Sequence, residues 1–79
     1  MKNTSVTIAH DDRFLRMSAV VQLTGVSRAH VYFLAKEGRF PRPYKLSQKS
    51  SAWLLSELTA WMQERVSNRQ EAEAEKVLR

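Results

Sequence analysis

Hydrophobic and polar positions change their spacing along this 79-residue chain, and each change marks an element. Residues 1–12 carry little apolar content and no period, so they read as a flexible arm. Order is expected from Phe14 and Leu15. A short helix follows from Ala19 through Thr24, with Ser18 as its N-cap. Gly25 ends it, because glycine enters the left-handed conformation without steric cost. Ser27 offers a second N-cap, and Arg28 to Glu37 holds no proline or glycine before Gly38 closes that helix in the same way. Within it Val31, Leu34, Ala35 and Gly38 share one face, while Arg28, Ala29, Phe33 and Lys36 project elsewhere.

Phe40 begins a break. Pro41 and Pro43 fix φ and remove two donors, so this stretch is an extended connector. Tyr44-Lys45-Leu46 and Ser51-Ala52-Trp53 flank the polar turn Ser47 to Ser50, which predicts a small hairpin. A third helix is expected from near Ser56, with Leu54, Leu58, Trp61, Met62 and Val66 as its apolar stripe. The tail EAEAEKVLR can extend this helix, but apart from Val77 and Leu78 it has little to bury. The expected organisation is an arm at 1–12, a folded domain at 13–67, and a helical extension or disordered tail at 68–79.

The three-residue link Gly25-Val26-Ser27 between the first two helices forces a sharp angle. Val21 is expected where they cross, Val26 in the turn, and Val31 and Leu34 against the first helix. This is a helix-turn-helix pattern. With the hairpin as a wing behind it, the predicted fold is mainly α: a winged helix-turn-helix with three helices and a two-stranded β-hairpin.

Charge then narrows the function. Six basic residues lie between Arg28 and Lys49 against Glu37 alone, and the rest of the chain balances, so the whole net charge of +5 sits in this segment. Helix, wing and charge coincide, the footprint of a nucleic-acid binder. A solvated basic face is the plainer alternative. The predicted partner is double-stranded DNA. Arg28, Ala29, His30 and Phe33 are candidates for base contact: Arg28 by bidentate bonding to guanine, Ala29 by closeness to a thymine methyl. Ser27, Tyr32, Lys36, Arg39, Arg42, Lys45, Gln48 and Lys49 are candidates for phosphate or wing contact. Trp53 and Trp61 read as core anchors rather than stacking platforms.

Other chemistries find little support. The chain lacks cysteine, and His10 and His30 have no companions for a metal site, so no cofactor is expected. Ser47, Ser50 and Ser51 have no activating base, and Asp11 and Asp12 fall in the arm, so no enzyme is predicted. No apolar run approaches the ~20 residues of a membrane span, and the N-terminus lacks the apolar core of a signal peptide. A cytoplasmic protein is expected.

Several motifs then fall into one combination: Phe14-Leu15-Arg16, Thr24-Gly25-Val26-Ser27-Arg28, Val31-Tyr32, Glu37-Gly38-Arg39-Phe40-Pro41, and Trp53, Glu57, Leu58 and Trp61. Over about residues 13–66 the chain resembles the AlpA-type regulators of prophages and integrated elements, which are related to phage excisionases and more distantly to MerR-type regulators. The resemblance implies a winged helix-turn-helix that binds near a promoter or attachment site. It would act as a transcriptional regulator of integrase or excision genes, or as an excisionase that bends attachment-site DNA. It places Arg28 at the start of the recognition helix, Tyr32 where the family has tyrosine, and Lys49 where many members have a wing arginine. Phe33 departs from the pattern, where a polar residue is commoner, so its contact is a thymine methyl, the wing or a neighbouring protomer. Integrase or RNA polymerase would be the protein partner. Specific binding by so small a domain is expected to need several copies, by dimerisation or head-to-tail cooperativity, with Phe33 and residues 67–79 as contacts. The rival from another class is a protein-interaction module built on the third helix and tail.

Overall fold

The structure is a computed structural model and describes residues 11–78, with the side chains of Val77 and Leu78 left aside. Residues 1–10 of the arm expected at 1–12 lie outside the described residues. The element order is β1 (Phe14–Leu15), α1 (Met17–Thr24), α2 (Arg28–Lys36), β2 (Tyr44–Ser47), β3 (Ser50–Leu54) and α3 (Leu55–Leu78). This is the expected winged helix-turn-helix.

The link between α1 and α2 is held as the sequence suggests. Gly25 takes φ +77°, and its N–H donates to the Val21 carbonyl at 2.8 Å. The Thr24 hydroxyl donates to the Val20 carbonyl at 2.8 Å and accepts from Val26 N–H at 3.2 Å, so one side chain closes both sides of the turn. Ser27 caps α2, its Oγ accepting from His30 N–H at 3.3 Å. Gly38, at φ +74°, turns the chain out of that helix.

Two helix starts shift. Helix α1 begins at Met17 with Arg16 as N-cap and no side-chain cap bond, so Ser18 is already helical. On its inner face Val20, not Val21, is fully buried. Helix α3 starts at Leu55, because Leu54 belongs to β3 and is buried there. Its stripe also ends early. Leu58 is buried, but Val66 is 48% exposed because α3 runs on past the sheet with no element packed beneath it.

The wing proves to be part of a three-stranded antiparallel sheet, ordered β1-β3-β2, rather than an isolated hairpin. Phe14 pairs with Leu54 and Leu15 with Trp53, while Tyr44 pairs with Ala52 and Lys45 with Ser51. The β2–β3 ladder is irregular between Lys45 and Ser47. Leu15, Val20, Val31, Leu34, Ala35, Phe40, Trp53 and Leu58 form one core that touches every helix and the sheet. Two indoles fasten the connector to it. Trp53 Nε1 donates to the Pro41 carbonyl at 2.9 Å and Trp61 Nε1 to the Arg39 carbonyl at 2.8 Å. Phe40, buried between them, meets Trp61 edge-on with ring centroids 4.8 Å apart. Both tryptophans therefore serve as anchors.

Asp12, expected in the arm, is tied to a residue distant in sequence, Ser56. Its carboxylate accepts from Ser56 N–H at 3.0 Å and from the Ser56 hydroxyl at 2.7 Å. Leu55 N–H donates to the Arg13 carbonyl at 2.8 Å beside it. The first turn of α3 follows directly on β3 and so has no capping loop of its own. Asp12 supplies the missing acceptor.

Candidate nucleic-acid interface

Burying Val31, Leu34 and Ala35 on one side of α2 dictates what the other side presents. Arg28, Ala29, Tyr32, Phe33 and Lys36 are all exposed there, with Tyr32 and Phe33 each about half open to solvent. His30 and Phe33 lie along one edge of this face, their ring centroids 5.9 Å apart.

Along the opposite edge α2 faces the wing across a cleft. Arg16, Ser18, Arg28, Tyr32, Lys49 and Ser51 line it over a floor formed by Met17 and Trp53. Three of these side chains are cationic and none is acidic. Among the described residues, Arg16, Arg28 and Lys49 form no ion pair. The first turns of both α1 and α2 open here, and α1 has no side-chain cap, so helix-terminal N–H groups add partial positive charge to the same place. Lys45 stands opposite Ser51 in register and so belongs to the cleft side of the sheet. Its Nζ donates to the Gln48 carbonyl at 3.1 Å, bracing the turn that carries Lys49.

The structure thus gathers Arg28, Tyr32 and Lys49 in one cleft, with Lys45 and Gln48 at its wing. Ala29, Phe33 and Lys36 occupy the adjoining outer face of α2. Arg42 is exposed on the connector. Arg39 is set apart. It lies beyond the other end of α2, its guanidinium pairs with Glu37 at 2.9 Å, and it borders a groove with Trp61, Glu57, Glu64 and Arg65. Ser27 is engaged in capping. Sequence reasoning missed Arg16 and Ser18. Arg16 stands within the Phe14-Leu15-Arg16 motif, but only the pairing of β1 with β3 shows that it enters the cleft. Ser18 was assigned to a cap that Arg16 occupies.

Two titrating groups sit away from this cleft. Hydrogen bonding from the Ser56 hydroxyl, reinforced by Ser56 and Arg13 N–H, holds Asp12 below its ordinary pKa. Tyr44 donates to Glu57 Oε2 at 2.6 Å, and this bond to a carboxylate raises the phenol's pKa. Among the described residues no three His, Asp or Glu side chains gather as a metal site, and no helix is long and apolar enough to cross a membrane.

Fold and cleft together define a small winged helix-turn-helix protein with a basic surface between its second helix and wing. Residues 13–66 match the family described as "Prophage CP4-57 regulatory protein (AlpA)", and the chain belongs to that family. It is 47% identical over 58 residues to the uncharacterized protein ORF88 of Enterobacteria phage P4, covering 73% of this chain and 66% of that protein. It is 34% identical over 59 residues to the DNA-binding transcriptional activator AlpA of Escherichia coli K12, covering 67% of this chain and 84% of that one. No solved structure matches the chain.

Proposed function

We propose that this protein is a sequence-specific DNA-binding regulator of a prophage or integrated element, acting on transcription of integrase or excision genes. The acid-free cleft shared by Arg16, Arg28 and Lys49 carries the proposal. Helix α2 would enter the major groove with Arg28 at its leading end, while the wing and the start of α1 hold flanking phosphates. Arg16, Lys36, Arg42, Lys45 and Lys49 neutralise phosphate, and Arg28 is the first candidate for reading a base. The naming of the E. coli relative as a transcriptional activator favours regulation over excision as the primary role. Several copies on adjacent sites would supply the interface that one domain lacks.

The test is binding to DNA upstream of the protein's own gene across a salt series. Five neutralised phosphates should give a slope of log K against log salt of about −4.5. Absence of salt-sensitive binding, even at low ionic strength, would reject the proposal in favour of a protein-interaction module. An in vitro excision reaction with the cognate integrase separates the two DNA-binding roles, because an excisionase is required there and a regulator is not.

A further inference from the structure

Every residue of β2 is exposed, and β2 pairs with β3 alone through an irregular ladder. A hairpin of this size is marginal by itself. The direction in which its turn presents Gln48 and Lys49 therefore depends on what holds β2 to the domain. Leu46 is 45% exposed, and Lys45 bonds only within the hairpin. Among the described residues, the ring contacts and hydrogen bonds that tie β2 side chains to other elements are both made by Tyr44. Its ring meets Phe14 of β1 edge-on, centroids 5.9 Å apart, and its hydroxyl donates to Glu57 in the first turn of α3 at 2.6 Å.

We propose that Tyr44 and Glu57 form a latch that fixes the wing to the body of the domain, making both of them positioning residues for the DNA contact made by Lys49. A hydroxyl bonded to a carboxylate at this distance is a short, charge-assisted hydrogen bond. It sits at the root of β2, where a small change of angle is carried along the strand to the turn. Register puts Tyr44 opposite Ala52, on the sheet face turned away from Lys45, Ser51 and the cleft. The latch works from behind the wing and touches no nucleic acid. This inference rests on the DNA-binding reading for its consequence, but not for its geometry.

The experiment is a double-mutant cycle in the full chain, with binding to the same upstream DNA measured well below the melting temperature. Tyr44→Phe keeps the ring contact and removes only the hydroxyl. It should weaken binding about fivefold in the wild-type background and hardly at all in Lys49→Ala, because the hydroxyl acts through that lysine. Glu57→Ala should reproduce Tyr44→Phe, whereas Glu57→Gln, still an acceptor, should recover most of the binding. Equal weakening in both backgrounds, or none in the wild type, overturns the latch. Amide hydrogen exchange gives a readout independent of DNA. Tyr44→Phe should speed exchange in β2 and β3 about tenfold and leave α1 and α2 unchanged. Unchanged exchange in the hairpin refutes the latch even if the wild type binds no DNA, whereas faster exchange without DNA binding refutes only the function.

Discussion

Arg28 and Arg39 lie beyond opposite ends of the buried face of α2, and their surroundings differ in kind. Arg28 opens into a cleft with two more cations, two helix N-termini and no carboxylate. Arg39 is paired with Glu37, and its carbonyl accepts from the Trp61 indole in a groove that also holds Glu57, Glu64 and Arg65. Arg65 lies over the Trp61 ring at 5.0 Å, a further cation in this groove beside its carboxylates. The basic segment from Arg28 to Lys49 is therefore not one uniform patch. Its two ends, Arg28 and Lys49, are left uncompensated in the cleft, where a polyanion can approach them. Arg39, between them in sequence, is paired with Glu37 at the surface, and its carbonyl helps fasten the connector that leads from α2 to the wing.

If this division holds, substitutions on the two sides should have separable effects. The largest difference is expected from the arginines themselves. Arg28→Ala should weaken DNA binding about 10- to 100-fold, the worth of one good bidentate contact. Arg39→Ala should change it by less than about threefold, since an exposed pair such as Arg39–Glu37 contributes little. Binding isotherms at fixed salt decide the matter, and equal losses from the two variants would erase the distinction between the surfaces.

The groove side should instead show itself in stability. Trp61 is half-buried, packs edge-on against Phe40 and holds the Arg39 carbonyl. Trp61→Ala should cost about 2 kcal/mol in urea unfolding, less than a fully buried tryptophan would. Binding by the protein that remains folded should stay close to wild type. A large loss of affinity without loss of stability would mean that the groove itself contacts DNA.

A smaller effect tests the wing. Lys49→Ala should weaken binding about fivefold and lower the salt slope by about one, uniformly across target sequences, as removal of a phosphate contact does. A sequence-dependent loss would instead make Lys49 a reader of bases.

How much of this was legible in the sequence follows from how far apart the deciding residues lie. The α1–α2 link was readable because Gly25, Ser27 and Gly38 act through their own backbone and near neighbours. The hairpin and the anchoring role of Trp53 followed from short-range patterning. The pairing of β1 with β3 was not readable, since two residues carry no period, and their partners lie about forty residues on. Arg16 was missed for that reason. Arg28, Tyr32 and Lys49 are legible as candidates because they carry charge or a hydroxyl near the turn and wing. Arg39 looks the same in the sequence, because adjacency to Glu37 does not reveal that the two side chains pair. Val66 fitted a helical stripe, but periodicity does not tell where the body under a helix stops.

The same long-range joint gives the smallest and most specific prediction. Asp12 is held below its ordinary pKa of 3.8 by the Ser56 hydroxyl first, then by Ser56 and Arg13 N–H, with partial desolvation opposing. A carboxylate whose folded pKa is depressed stabilises the fold above its unfolded pKa and loses that contribution as pH falls through the folded one. Thermal melts of wild type and Asp12→Ala should therefore differ clearly at pH 7. The gap should begin to close near pH 4 and narrow further below it, as the wild-type carboxylate takes up its proton. Binding at neutral pH should be nearly unchanged, because Asp12 fastens the start of α3, on the stabilising side of the molecule and away from the cleft. A gap that stays constant down to pH 3 would show that the neutral acid holds Ser56 equally well. A loss of DNA affinity at pH 7, in protein still fully folded, would show that the joint between residues 12 and 56 governs the cleft as well, and the two sides could no longer be treated as independent.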